Sequence, residues 1–131
     1  IFSEDSKIKN RLNIIDNILH PLILEEMNDI INKKRLNNET IFIEVPLLYE
    51  LKLNNYFDKV IYVYINKKNQ IERLIKRSNC STDEAIKKID AQMDVETKKN
   101  IALINNDIII DNNQSIEYTY KEIDKILNND K

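Results

Sequence analysis

The chain has no glycine among its 131 residues, where about 7% is usual. Glycine reaches positive φ without steric cost and lets backbone approach a phosphate closely. A glycine-rich phosphate loop is therefore excluded within this sequence. Cys80 is the single cysteine, which excludes an internal disulfide and a cysteine-based zinc site. It stands in a polar loop without a partner and is assigned no chemistry. His20 is the single histidine, and no serine, cysteine or carboxylate is spaced to form a triad with it. Its place before Pro21 reads as a structural hinge. No apolar run approaches the roughly 20 residues that span a bilayer, and no signal-peptide pattern opens the chain. A cytoplasmic location is expected. The formal net charge of -2 gives no general attraction to nucleic acid or anionic membranes, so neither is expected as a partner. The chain opens on Ile1 rather than Met, from which an upstream segment is expected.

What is present fits one globular domain. Hydrophobic residues make 42% and charged residues 32% of the chain, an ordinary balance, and the length allows one core but hardly two. Ile8, Leu12, Ile15, Ile18 and Leu19 recur at helical spacing over Lys7–Leu19. After Pro21 a second helix is expected, striped by Leu22, Ile23, Met27, Ile30 and Ile31. Its acidic residues lie early and Lys33, Lys34 and Arg35 late, as the helix dipole favours. Three apolar runs read as strands: Ile41–Val45, Asp58–Ile65 and Asp107–Asp111. Nearly continuous apolar strands favour a parallel sheet covered on both faces. Between them, "NKKNQIERLIKR" reads as a helix. "STDE" is a capping box, with Ser81 at the N-cap and Glu84 at N3, opening a helix through Gln92. Val95–Leu103 and Ile116–Leu127 complete the helices. Strands separated by helices mean α/β.

Few residues are placed for chemistry. Glu44 interrupts the first apolar strand and Glu50 follows it in "TIFIEVPLLYE". A carboxylate at the carboxyl end of a parallel strand suits Mg²⁺ or phosphate work. Equally, Glu44 faces an uncovered side and Glu50 caps a short helix. Arg73 and Arg77 share one helix face. Their planar donors match phosphate oxygens, and a solvated basic face is the alternative. Asn112 and Asn113, after the third strand, offer amides to an adenine edge or simply form a turn.

In order along the chain stand "LNIIDNILHPLI", "EVPLLYE", "FDKVIYVYI", "NQIERLIKRSNCSTDEA", Ala91–Gln92 and "IIIDNN". This succession resembles the dephospho-coenzyme A kinases over nearly the whole chain. The resemblance implies an α/β, parallel-sheet P-loop kinase-like fold, N-terminally truncated. It implies one kinase domain over 1–131, with a helical acceptor-binding part at 7–37 and a lid with flanking helices at 66–104. The implied reaction moves the γ-phosphoryl of ATP, with Mg²⁺, to the ribose 3′-hydroxyl of dephospho-coenzyme A, a step of coenzyme A biosynthesis. Carried over residue by residue, Arg73 and Arg77 become catalytic, phosphate-facing donors and Asn112 joins the ATP site. His20 and Glu50 fall to the substrate, and Glu44 to the metal. The family's glycine-rich loop, and the aspartate that accepts the hydroxyl proton, lie upstream of the matched region. The chain alone is therefore expected to be inactive. The alternatives are another nucleotide-type small-molecule kinase, or a degenerate binding fragment with a bared sheet edge. Oligomeric state is left open.

Overall fold

The structure is a computed structural model that describes residues 20–129; the helix expected over Lys7–Leu19 lies outside them. The chain divides into two compact units, Ile1–Val45 and Pro46–Lys131.

In the first unit, α1 is helical over 20–36 among the described residues. Ile31 is its buried residue, whereas Leu36 is 85% exposed. The helix ends at Asn38, which takes a left-handed φ of 54°. There the Glu39 N–H returns to the Lys34 carbonyl at 3.0 Å, and Lys34 Nζ meets Glu39 Oε2 at 2.6 Å. Asparagine tolerates this conformation better than other non-glycine residues. It supplies the stop that a glycine-free chain cannot take from glycine.

The strand expected at Ile41–Val45 does not form among the described residues. Phe42 is 72% exposed, and Glu44 is exposed with it. A strand exists through its ladder partner, and no described segment pairs with 41–45. Apolar composition alone cannot supply that partner.

In the second unit, β1 (Ile61–Tyr64) and β2 (Ile108–Asp111) form a parallel pair, with Tyr62 opposite Ile109 and Tyr64 opposite Asp111. The ladder opens where the Ile108 N–H donates to the Val60 carbonyl and closes where Asn112 N–H donates to the Tyr64 carbonyl at 2.7 Å. Both strands are thus shorter than their apolar runs. Alternation along β1 puts Tyr62 and Tyr64 on one face and Ile61 and Val63 on the other. The expectation of cover on both faces fails at Val63, which is 48% exposed.

Helix α4 (Val95–Ile104) packs on both strands and α5 (Ile116–Asn129) on β2, while α2 (Lys67–Ser78) and α3 (Thr82–Asp90) pack on each other. Ile110, Ala85 and Ala102 are the most deeply buried apolar residues. The α2–α3 hairpin turns at Asn79, again left-handed at φ 50°. It restarts at Ser81, whose Oγ accepts from the Glu84 N–H at 3.2 Å. That cap is the one the sequence foretold. At the open end of the hairpin, Lys67 Nζ meets Asp90 Oδ1 at 2.8 Å.

Candidate functional site

The carboxyl ends of β1 and β2 are tied together by asparagine. Asp111 Oδ1 accepts from both the backbone N–H (2.9 Å) and the side-chain Nδ2 (2.7 Å) of Asn113. Asn113 Oδ1 in turn accepts from the Asn66 N–H at 2.9 Å and from Asn69 Nδ2 at 3.0 Å. Asn66 Oδ1 accepts from the Asn69 N–H at 2.8 Å and so caps α2. One side chain therefore holds the loop after β2 against the start of α2. A primary amide can donate through its nitrogen to a carboxylate while its oxygen accepts from two N–H groups.

Beside this hub lies an open groove of about 540 Å³, lined by Asn69, Glu72, Arg73, Ile75, Lys76 and Asn113. Arg73 and Lys76 bring two cations to it, set against the one carboxylate of Glu72. In open parallel sheets, ligands bind beyond the carboxyl ends of the strands, and this groove adjoins that end.

Of the residues singled out from sequence, Arg73 lines the groove; Arg77, one turn further on and exposed, does not. Asn112 directs Oδ1 at Thr119, whose Oγ1 donates to it at 2.8 Å. Asn113 is the asparagine that reaches the groove. Glu50 does not line it either. Its Oε1 lies 2.8 Å from Lys98 Nζ, with only 19% of the Glu50 side chain and 12% of that of Lys98 exposed. His20 and Glu44 belong to the first unit. His20 is half-buried and Glu44 exposed. Among the described residues no group of three or more histidine, cysteine or acidic side chains converges to hold a metal ion.

Three tyrosines tie β1 to α4 and to the turn after Pro46. The Tyr62 hydroxyl donates to the Val95 carbonyl at 3.0 Å, and that of Tyr64 donates to Glu96 Oε1. Lys99 Nζ sits 4.4 Å above the Tyr64 ring, a cation–π contact. The Tyr49 ring meets that of Tyr62 edge-on, centroids 5.8 Å apart. Burial pushes the Tyr62 hydroxyl up to about 12, with neighbouring tyrosine and acidic groups adding to it. The hydrogen bond to Glu96 is the main cause of the same rise, to about 12, at Tyr64. Tyr49 is raised further by burial and by Asp107.

Sequence reasoning missed the hub residues Asn66 and Asn69, and read Asn113 as facing an adenine edge or forming a turn rather than as tying the loop after β2 to α2. Asn66 carried a readable signal, an asparagine just ahead of a helical run. Lys98 carried none, because its partner lies far away in sequence.

The profile of the family described as dephospho-CoA kinase matches residues 1–118. The chain belongs to the dephospho-CoA kinase family. It is 35% identical over 131 residues to a dephospho-CoA kinase of Oceanobacillus iheyensis, an alignment covering 97% of this chain and 60% of that protein. A dephospho-CoA kinase of Carboxydothermus hydrogenoformans is 35% identical over 120 residues, 91% of this chain and 56% of its own length. The similarity extends to a plant, with 36% identity over 91 residues to the dephospho-CoA kinase of Oryza sativa subsp. japonica, 70% of this chain and 38% of that one. The chain thus spans less than two thirds of the length of these relatives. No solved structure matches it. No helix among the described residues is long and apolar enough to cross a membrane.

Proposed function

We propose that this chain provides the phosphate-holding and acceptor-binding parts of a dephospho-CoA kinase. The supporting observation is the groove containing Arg73 and Lys76 beside the carboxyl ends of two parallel strands. It occurs in a chain of that family. In this reading ATP is the donor and the ribose 3′-hydroxyl of dephospho-CoA the acceptor. The 3′-oxygen bonds to the γ-phosphorus as its bond to the β-phosphate oxygen breaks, ADP leaves, and the hydroxyl proton passes to the general base of the complete enzyme. Such a transfer is catalysed mainly by positioning and by fixed charge around the equatorial oxygens.

Arg73 meets the phosphates in the groove. Arg77, further along the α2–α3 hairpin, reaches the migrating phosphoryl group. Residues 66–104 then act as lid and flanking helices, and 7–37, with His20, as the acceptor side. Asn112 and Asn113 take the adenine side of ATP. Glu50 serves the substrate indirectly, through the turn it anchors. Glu44 is the residue that would hold Mg²⁺, which when bound would neutralise charge on the phosphates. The protein works in the cytoplasm, on small soluble substrates.

A sequence without glycine cannot form the backbone cradle that phosphates take in this fold. The 131-residue chain is therefore expected to show no turnover alone. The test compares it with a chimaera in which the amino-terminal segment of the Oceanobacillus iheyensis relative precedes residue 1. ATP-dependent 3′-phosphorylation of dephospho-CoA by the chimaera supports the reading. Transfer to other nucleoside acceptors instead, or to none, overturns it.

A further inference from the structure

The Glu50–Lys98 ion pair is the strongest feature outside the groove. Among the described residues neither carboxylate oxygen of Glu50 has a hydrogen-bond partner, Lys98 being its ion-pair partner, and both oxygens are buried. A buried carboxylate with spare lone pairs is costly, and an apolar pair of similar volume often serves stability as well or better. Net stabilisation does not explain it, so its placement is the clue.

Glu50 stands on a turn that is itself rigidly held. Leu53 is 5% and Tyr49 8% exposed, the Leu53 N–H donates to the Leu48 carbonyl at 2.9 Å, and the Leu51 N–H donates to the Leu47 carbonyl. Lys98 lies in the first turn of α4, and its backbone N–H donates to the carbonyl of the N-cap Asp94 at 3.0 Å. Residues 91–94 join α3 to α4, so they form the exit root of the hairpin that carries Arg73 and Arg77. The entry root is fixed by Asn113 through Asn66 and Asn69.

We propose that Lys98 is a positioning residue: through Glu50 it fixes the exit root of the α2–α3 hairpin, and with it the arginines. The assignment rests on the phosphoryl-transfer reading for its purpose, but not for its test. A group misplaced by about 1 Å loses about 10²-fold in rate, so a hairpin bearing phosphate donors needs two fixed roots.

The test is amide hydrogen exchange on the 131-residue chain, with no substrate present. Lys98→Met is expected to speed exchange at residues 82–98 about tenfold or more relative to β2 and α5. Lys98→Arg restores the parent rates. The double variant Glu50→Leu with Lys98→Met removes both charges. It is expected to keep or raise the urea midpoint while 82–98 still exchange fast. If Lys98→Met does not fold, the double variant decides. Parent-like exchange at 82–98 in the double variant, or an equal rise across the whole unit, overturns the proposal. Failure of the chimaera to phosphorylate dephospho-CoA would overturn the functional reading and leave this result standing.

Discussion

The Tyr49 hydroxyl donates to the Asp107 carboxylate at 2.7 Å, joining the turn after Pro46 to the start of β2 across most of the second unit. Tyr49 is 8% exposed, so the bond stands at the end of a buried ring. Tyr49→Phe keeps the ring and removes the donor. A hydrogen bond to a charged group contributes about 1.5–3 kcal/mol, and Asp107, only half-buried, regains water. A loss of about 1–2 kcal/mol is expected. Tyr49→Ala also opens a cavity and costs about 3–5 kcal/mol. Urea unfolding of the three proteins measures both values, and equal losses for Phe and Ala would refute the assignment.

Alkaline pH should unfold the protein through its tyrosines. Tyr62 and Tyr64 are both raised from 10.0 to about 12 in the folded state. The folded form therefore binds more protons than the unfolded form between those values. Stability from these groups is fully present below about pH 10 and is lost as pH rises towards 12. Denaturant midpoints should be flat on their account up to pH 10 and fall beyond it. Tyr64→Phe should flatten part of the fall.

Asn113 should be far more sensitive than its neighbour. Asn113→Ala removes the side-chain bonds to Asp111, Asn66 and Asn69 together and leaves the Asn66 N–H without its acceptor. An expected cost of about 2–3 kcal/mol follows. Asn112→Ala loses one acceptor of Thr119 Oγ1, which keeps the Ser115 carbonyl at 3.4 Å, for about 1 kcal/mol. Calorimetry on both variants would show the order, and a reversed order would refute the hub.

In the chimaera, Arg77→Lys should lower kcat about 10²–10³-fold, the range seen when one donor to a developing charge is lost. Lysine keeps the charge but not the planar fork. Arg73 lines the groove, so Arg73→Lys should act chiefly on the KM for ATP. Near-normal kcat for Arg77→Lys, with only a raised KM, would make Arg77 a ground-state binder.

Local signals in the sequence were legible where the physics is local. The Ser81 cap with Glu84 at N3, the amphipathic helices and the β-branched runs at 61–64 and 108–111 needed no distant partner. The run at 41–45 looked like a strand by composition and is none among the described residues, because ladder pairing is not written in one segment. The same limit applied to the site. Arg73 and Arg77 were readable as a pair on one helix, but which one lines a groove depends on where β2 ends. Lys98 was one of several lysines in "ETKKN" until its Glu50 contact was known.

The tyrosine face of β1 also has an optical consequence. The chain contains six tyrosines and no tryptophan, so its near-ultraviolet absorption is dominated by phenol. Tyr49 and Tyr62, and Tyr62 and Tyr64, hold their rings at centroid separations of 5.8 and 6.3 Å, at fixed tilts. Near-ultraviolet dichroism depends on such fixed packing and disappears when packing loosens even if helices persist. The molecule thus carries an unlabelled reporter on the seat of α4, readable in a cuvette without any introduced dye.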